Sequence, residues 1–395
     1  MESAFFTHLA QASDLFPFSK PVPIFIGGRM CATVNDIRKS FVGLRVEKKL
    51  RHKEIADFLQ LTEAELIDAH VGVSKLDVVR SSPNLAKAIR LKKSWPEIIK
   101  LTEGLGEVMA LTRNPYAVHE KIGKYENVSL QGDIGLVAGK GIDLRLFYRQ
   151  WEFAYIFEEG KQETLQKSLQ FFDEYGQAIH KIFLLPESRH THLDHMVHQM
   201  ADSNQDPGIF IHSKRDETLQ NQVKLKDSDL AAFKSDWVSL QDTHDFFNIL
   251  KKYQLNRLEA LTLIGDDYAQ KLEANSVKFL LESAGHLEVP LTIYVGNRGA
   301  VQIYSGLIKN VMGTKDWLNI FDPVFNFHLK ISELPSVWLV RKPSKDSVIT
   351  SLEILDAAGE VIAMIFGERI LGKSESADWR SLLESCKDGE MAIAG

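Results

Sequence analysis

Apolar residues near the start of the chain recur with helical spacing. The segment EIADFLQLTEAELIDAHV (54–71) shows this spacing, and a capping box of Thr62 and Glu65 interrupts it. The pattern predicts two short helices joined by a tight turn. A further helix is predicted over residues 94–105, because Ser94 can cap its start and glycines end it. Before these helices, PFSKPVPIFIGG (17–28) predicts one short strand within an extension.

A second pattern follows, in which apolar and polar residues alternate with the period of a β-strand. Turn residues separate the alternating runs, and the turn Asp173–Gly176 divides the last run into a hairpin. Strands are therefore predicted in EVMALTR (107–113), YAVHEKIG (116–123), IDLRLFY (142–148), FAYIFEE (153–159) and KSLQFFDEYGQAIHKIFLL (167–185).

After a polar connection, the same order of patterns returns. Helices are predicted in THDFFNILKKYQ (243–254), RLEALTLIGDDYAQKL (257–272) and ANSVKFLLESA (274–284). Strands are predicted in LTIYVGNRGAVQIYSG (291–306), WLNIFD (317–322), VFNFHLK (324–330), SVWLVRK (336–342) and VITSLEILDAAGEVIAMIFG (348–367).

The recurrence is a sequence repeat. Sliding the chain by 183 residues without a gap pairs identical residues, among them Asn114 with Asn297, Gly123 with Gly306, Leu146 with Leu329, Ser168 with Ser351, Asp173 with Asp356, and Gly176 with Gly359. The period is far too long for a solenoid. We predict an α+β fold made by tandem duplication, with halves at 39–185 and 236–395, an extension at 1–38 and a connection at 186–235.

Composition narrows the function classes. The net charge of −6 argues against a general nucleic-acid-binding protein, which needs a basic surface. The two cysteines, Cys31 and Cys386, offer no disulfide framework. The start of the chain lacks the basic region of a secretory signal, and no apolar run is long enough to span a bilayer. We therefore expect a cytoplasmic protein with no nucleic-acid partner and no membrane insertion.

The hexapeptide HTHLDH (190–195) has the spacing with which metallo-β-lactamase-type hydrolases hold two metal ions. The second half of the repeat has no equivalent cluster, and later histidines do not supply the further ligands of such a site. The favoured interpretation is a polar connecting helix with His192, His195 and His198 on one side. Adventitious metal binding and a metal-dependent hydrolase remain as weaker alternatives.

Seven long segments resemble the haemin-degrading factors, a family of cytoplasmic haem-utilisation proteins. They are TRNPYAVHEKIGKYENV (112–128), IDLRLFYRQW (142–151), THDFFNILKKYQLNR (243–257), VGNRGAVQIYSG (295–306), WLNIFDPVFNFHL (317–329), VWLVRKP (337–343) and SLEILDAAGEVIAMIFGER (351–369). The resemblance implies two similar halves, each with a large antiparallel sheet flanked by helices, and a haem (iron protoporphyrin IX) in the cleft between them.

The resemblance implies that His244 binds the haem iron. The local sequence supports this ligand, because Asp242 or Thr243 can cap the helix and place His244 in its first turn. The positive end of a helix disfavours a protonated imidazole, so the ring can donate a lone pair. Phe246 and Phe247 suit contact with a porphyrin, although a protein core would need the same residue types.

Arg145 in DLRLF is the catalytic residue that the resemblance implies, on the distal side of the iron. There it would donate hydrogen bonds and stabilise developing negative charge. An outward-facing arginine on a sheet is the alternative. Phe147 lies on the same strand face by the two-residue period and suits contact with the haem ring.

Three basic residues stand where the family meets the haem propionates: Arg257, Lys342 and Arg369. Each could equally be a solvated surface charge. Tyr294 and Met364 are also expected in the pocket, and Met364 departs from the glutamine that the family carries there. His119 is a candidate ligand for a second haem, although a sheet histidine with local partners is the favoured interpretation.

These inferences predict a protein that takes up imported haem and either opens its ring, with iron release, or delivers it. Ring opening needs electrons, and the chain has no glycine-rich dinucleotide motif after a strand, so the electron donor would be external. A non-catalytic carrier that hands haem to a separate haem oxygenase is the alternative. Expected partners are haem, a haem importer and a reductase or oxygenase; an oligomer is possible.

Overall fold

A computed structural model of the chain describes residues 33–73, 84–161, 164–213, 225–242, 245–345, 347–368 and 374–387. The predicted strand in residues 17–28 lies outside these ranges. The helices are α1 (Val34–Glu47), α2 (His52–Phe58), α3 (Glu63–Asp68), α4 (Trp95–Leu101), α5 (His190–Met200), α6 (Asp227–Val238), α7 (Phe246–Tyr253), α8 (Arg257–Ile264), α9 (Asn275–His286) and α10 (Ala377–Ser385). No helix within these ranges combines the length and apolar character that crossing a bilayer needs.

About half of the remaining described chain forms β-strands. They are β1 (Asn84–Arg90), β2 (Glu107–Arg113), β3 (Ala117–Lys124), β4 (Ser129–Gln131), β5 (Ile134–Ala138), β6 (Asp143–Phe147), β7 (Phe153–Lys161), β8 (Gln166–Phe172), β9 (Ala178–Leu184), β10 (Ala269–Leu272), β11 (Leu291–Gly296), β12 (Ala300–Gly306), β13 (Val311–Gly313), β14 (Trp317–Asp322), β15 (Phe325–Lys330), β16 (Ser336–Pro343), β17 (Val348–Leu355) and β18 (Val361–Gly367).

These strands form two antiparallel sheets, as the predicted α+β duplication requires. Within the described chain, the first sheet has nine strands in the order β1-β7-β8-β9-β2-β3-β15-β14-β13. The second has the order β10-β16-β17-β18-β11-β12-β6-β5-β4. Each sheet thus takes three strands from the other half of the repeat. The repeat in the sequence did not predict this exchange.

Two asparagines related by the repeat join the halves reciprocally. The Asn114 amide donates to the Gly296 and Ile362 carbonyls, at 3.0 and 2.8 Å. The Asn297 amide donates to the Arg113 and Ile179 carbonyls, at 2.9 and 2.8 Å. Each acceptor of one asparagine is the repeat equivalent of an acceptor of the other. The two halves are therefore related by a local pseudo-two-fold arrangement, in which residues 183 positions apart make equivalent contacts.

Most predicted elements are confirmed. The capping box of Thr62 and Glu65 starts α3. The paired hairpin glycines Gly176 and Gly359 adopt φ of +70° and +85°, a conformation that favours glycine.

One predicted helix is partly wrong. In RLEALTLIGDDYAQKL, α8 ends at Ile264, Gly265 turns with φ of +99°, and Ala269–Leu272 forms β10, which pairs with β16. The polar connection also contributes to the core, since Leu193 and Met196 of α5 are buried.

Candidate functional site

An open cleft lies between the two halves and is lined by residues of both sheets. Its volume is about 4150 Å³, several times the roughly 300–1,000 Å³ of ordinary small-ligand pockets. Five of the residues that the sequence analysis assigned to haem contribute to its wall: Phe147, Phe247, Arg257, Tyr294 and Met364. The cleft therefore brings together residues that are far apart in the sequence.

The sheet supplies the flat part of this wall. Tyr294 on β11 and Met364 on β18 are directly opposed in the antiparallel register, so their side chains lie side by side. Phe147 ends β6, whose Arg145 pairs with Val301 of β12, another cleft residue. Phe247 on α7 completes the wall with 62 % of its surface exposed. These residues give the cleft a broad apolar and aromatic surface.

Arg145 faces the same side of β6 as Phe147, as the two-residue period predicted. Its guanidinium does not contribute to the cleft wall in the described structure. It forms an ion pair with the Asp143 carboxylate and donates to the Leu144 carbonyl at 3.1 Å. Arg145 would have to release Asp143 in order to reach a ligand over the cleft.

The predicted propionate residues Arg257 and Lys342 are both buried, but they differ in whether they reach the cleft. Arg257 starts α8 and reaches the cleft wall. Lys342 is only 7 % exposed and does not reach the wall; its ammonium lies 2.5 Å from a Glu353 carboxylate oxygen. The other oxygen of Glu353 accepts from Arg257 at 2.6 Å. The alternative of a solvated surface charge is therefore wrong for Lys342, and a contact with a propionate would require it to leave Glu353.

Glu353 is the important residue that the sequence analysis missed. It is 0 % exposed, and burial alone would raise its pKa, but Lys342 and Arg257 outweigh that effect and lower the pKa to about 2. A charged carboxylate here keeps two basic side chains inside the wall. The sequence did carry a signal for Glu353. The repeat matches it with the neutral Gln170, so the two halves differ in charge at this position.

Phe246 lies behind the wall. It is 1 % exposed and packs edge-on against Trp237, with ring centroids 5.1 Å apart. The sequence left open whether Phe246 contacts a porphyrin or packs in the protein core. The structure places it in the core. It supports Phe247, its neighbour in α7, rather than lining the cleft.

Two predicted contacts lie outside the described residues: His244 and Arg369. The described chain resumes at Asp245, whose N–H donates to the Asp242 carbonyl at 3.0 Å, and α7 begins at Phe246. The assignments of His244 to the iron and of Arg369 to a propionate therefore stay predictions.

The side chain of His119 does not line the cleft. It is 0 % exposed, and neither of its ring nitrogens has a hydrogen-bond partner among the described residues. Burial lowers its pKa to about 3, so the ring is neutral. Its ring packs against Phe325, with centroids 5.0 Å apart. The local polar partner expected in the favoured interpretation is absent for the ring, and a second haem could reach this histidine only after the sheets rearranged.

The HTHLDH hexapeptide begins α5, as the connecting-helix interpretation predicted. His190 and His192 are hydrogen-bonded through Nε2 to two different backbone carbonyls, those of Leu185 and Leu101. Within the part of the chain that the structure describes, no three histidine, cysteine or carboxylate side chains are grouped so as to hold a metal ion. The geometry gives the hydrolase alternative no support.

Comparison with known proteins identifies the family. The family described as the haemin-degrading HemS/ChuX domain matches residues 72–200 and 254–386, one match in each half. The chain belongs to this family.

Similar full-length proteins share most of the chain. The hemin transport protein HmuS of Yersinia pestis is 34 % identical over 342 residues, which is 85 % of this chain and 94 % of HmuS. The crystal structure of holo-PhuS, a heme-binding protein from Pseudomonas aeruginosa, aligns with a TM-score of 0.82 at 35 % identity and covers 90 % of this chain and 99 % of PhuS. ChuS, an E. coli heme oxygenase, aligns with a TM-score of 0.75 at 30 % identity and covers 89 % and 99 %. The relatives of this protein therefore include haem-binding and haem-degrading proteins.

Proposed function

We propose that this protein binds haem in the cleft between its halves, with His244 as the ligand of the iron. The observation that carries the proposal is the convergence of Phe147, Phe247, Tyr294 and Met364 on one wall of the cleft. They come from three strands and one helix. A flat apolar and aromatic wall suits a planar macrocycle, and the similarity to holo-PhuS and ChuS supports haem as the ligand.

The residues present fit a haem in their chemistry as well as in their placement. Arg257 at the cleft wall can donate charge-assisted hydrogen bonds to a propionate carboxylate. His244 is separated from the buried Phe246 by one residue, so the ligand would project from the segment that leads into α7. When bound, the haem would supply the iron and the redox chemistry, and the protein would supply position, charge and exclusion of water.

We further propose oxidative opening of the haem ring as the reaction of this site. In this role Arg145 would leave Asp143 and turn its guanidinium into the cleft, where it would donate hydrogen bonds to developing negative charge. Dioxygen would be the oxidant, and the electrons would come from an external donor, such as a partner reductase. Haem would arrive from an importer, and iron would be released with the opened ring.

One observation favours the carrier function instead. In the described structure, Asp143 holds Arg145 away from the cleft. A site in which Arg145 stays on Asp143 would bind haem without stabilising the charge that the reaction develops. The protein would then hand intact haem to a separate haem oxygenase.

A spectroscopic titration tests both proposals. Haem added to the purified protein should give a Soret band that saturates at a fixed stoichiometry. Addition of a reductant in air should then bleach the band and release iron if the protein degrades haem. A saturating band that survives the reductant supports the carrier, and the lack of any saturating band would refute the haem site.

A further inference from the structure

The two walls of the cleft are built from equivalent elements. Thr62 caps α3 and Asn256 caps α8, each through a capping box with a glutamate three residues later. Thr62 lies against the hairpin glycine Gly176, and Asn256 lies against its repeat partner Gly359. The helix pair α2–α3 therefore occupies in one half the place that α7–α8 occupies in the other.

This equivalence shows that the walls carry opposite charges at matching positions. The first residue of α3 is Glu63, whereas the first residue of α8 is Arg257. On the strands, the 183-residue repeat matches Glu159 with Lys342 and Gln170 with Glu353. The wall assigned to haem thus has two cations where its counterpart has two carboxylates, and it has the buried acid Glu353 where the counterpart has an amide.

Glu353 is the centre of a closed network. Its oxygens accept from Arg257 at 2.6 Å and from Lys342 at 2.5 Å, and the Ser351 hydroxyl donates to it at 3.2 Å. All three charged residues are less than a tenth exposed. Because removal of one partner would leave buried charge uncompensated, the network holds both cations in fixed places.

The network also fixes the aromatic residues at the start of α7. The Lys342 ammonium lies 4.4 Å from the Phe246 ring centroid, and the Arg257 guanidinium lies 5.0 Å from it. The same guanidinium lies 5.7 Å from the ring of Phe247, which is exposed in the cleft. Cations at these distances are attracted to the ring faces. The orientation of the first turn of α7 is therefore coupled to Glu353.

We propose that Glu353 is a positioning residue of the haem site. It holds Arg257 and Lys342 against the ring of Phe246 and so fixes the first turn of α7, which carries Phe247. This proposal rests on the proposed haem function. It assigns to a residue outside the cleft wall the placement of Phe247 and of Arg257.

The test compares Glu353→Gln with Glu159→Gln. Glu159 is the matched control, since it is a buried carboxylate of the other half that binds Arg45 at 3.2 Å and His52 at 2.8 Å. Both substitutions should lower the Tm. Only Glu353→Gln should shift the ferric Soret and visible bands and weaken haem affinity, by roughly tenfold or more. Equal spectra and affinities in Glu353→Gln and the parent would overturn the proposal.

A double substitution separates positioning from stability. Glu353→Gln with Lys342→Met leaves one cation, Arg257, which can turn toward solvent in the cleft, so the Tm should partly recover. The altered spectrum should remain, and Lys342→Met alone, which keeps the pair of Glu353 with Arg257, should shift the spectrum less than the double variant does. Recovery of spectrum and Tm together in the double variant would show that Glu353 is only structural.

If Glu353→Gln does not fold, the double variant and Lys342→Met decide the question. Failure of the parent protein to bind haem would instead refute the proposed function itself.

Discussion

At the scale of single residues, the cleft is defined by side chains whose direction the strands determine. Arg145 and Phe147 leave the same face of β6, and Tyr294 stands beside Met364 because β11 and β18 are in register. Period and register alone therefore place four of the predicted contacts on one surface. The proposed ligand of the iron, His244, has no such constraint from strand period or register.

The sharpest residue-scale prediction concerns His244. His244→Ala should weaken haem binding without abolishing it, because the aromatic wall and Arg257 remain. The ferric Soret and visible bands should shift, since the axial ligand field changes. Titration of the variant with haem, with and without added imidazole, measures both effects, and imidazole should restore a histidine-like spectrum. If the variant keeps the parent spectrum in every band, another residue holds the iron.

A second prediction concerns Arg145 and the choice between enzyme and carrier. Arg145→Ala should retain haem affinity but slow ring opening by roughly 100-fold, the typical cost of losing one charge-stabilising donor. The decay of the Soret band after addition of a reductant in air measures the rate. Asp143→Asn is the matched variant: it frees the guanidinium from its partner and should not slow the decay. Identical decay in Arg145→Ala and the parent would remove Arg145 from the reaction.

A third prediction uses the pKa of His119. Burial lowers that pKa to about 3, whereas the unfolded chain has the ordinary value of about 6.5. Below pH 6.5 the unfolded state binds the proton and the folded state does not, so stability is lost as the pH falls. His119→Gln, which copies Gln302 at the equivalent position, removes this loss.

The size of the effect follows from linkage. Between pH 7 and pH 5, the free energy of unfolding of the parent should fall by about 2 kcal/mol more than that of His119→Gln. Denaturant unfolding at the two pH values measures the difference. A parallel fall in His119→Gln and the parent would show that His119 is accessible to protons in the folded state.

The burial and the ion pairing of individual side chains could not be predicted from the sequence. The exposure of Phe247 and the burial of Phe246 were not predictable from an apolar pair of neighbours, because helical spacing does not say which member faces the core. The ion pairs of Lys342 and Arg145 were equally hidden, since their partners Glu353 and Asp143 become neighbours only through strand pairing and side-chain rotation.

At the scale of elements, periodicity located most strands and helices, and turn chemistry set their limits. The error in residues 257–272 has a specific cause. Apolar spacing continues past Ile264, but Gly265 with positive φ ends α8, and AQKL finds a partner strand in β16. Pairing with a distant strand overrode the local helical pattern there.

The α5 helix supports an element-scale prediction. Its residues do not line the cleft, and Leu193 and Met196 anchor it in the core of the first half. Alanine in place of His190, His192 and His195 should therefore leave haem affinity within a few-fold of the parent, although stability can fall because His192 reaches the Leu101 carbonyl. Haem titration and thermal unfolding of the triple variant test this. Complete loss of haem binding would show that α5 belongs to the site.

At the scale of the whole molecule, the duplication was visible in the sequence but its topology was not. A repeat of 183 residues predicts two equivalent halves, and it is equally compatible with two separate sheets or with two exchanged ones. The exchange depends on β3 pairing with β15 and on β12 pairing with β6, contacts between residues 204–212 and 154–160 positions apart. A single sequence carries no signal for such pairings.

This topology predicts how the chain behaves when it is divided. A cut within residues 214–224 separates the halves in sequence, but each sheet still needs three strands from the other piece. The two pieces, produced together, should therefore remain one particle with the mass of the intact chain and should bind haem with nearly the parent spectrum. Produced alone, either piece exposes the unpaired edge of an exchanged strand and should self-associate rather than stay monomeric. Size-exclusion chromatography with light scattering distinguishes these states.

Asn114→Ala in the first piece should weaken the two-piece particle, because it removes hydrogen bonds to Gly296 and Ile362. Two stable monomers that bind haem independently would show that the halves do not depend on the exchange.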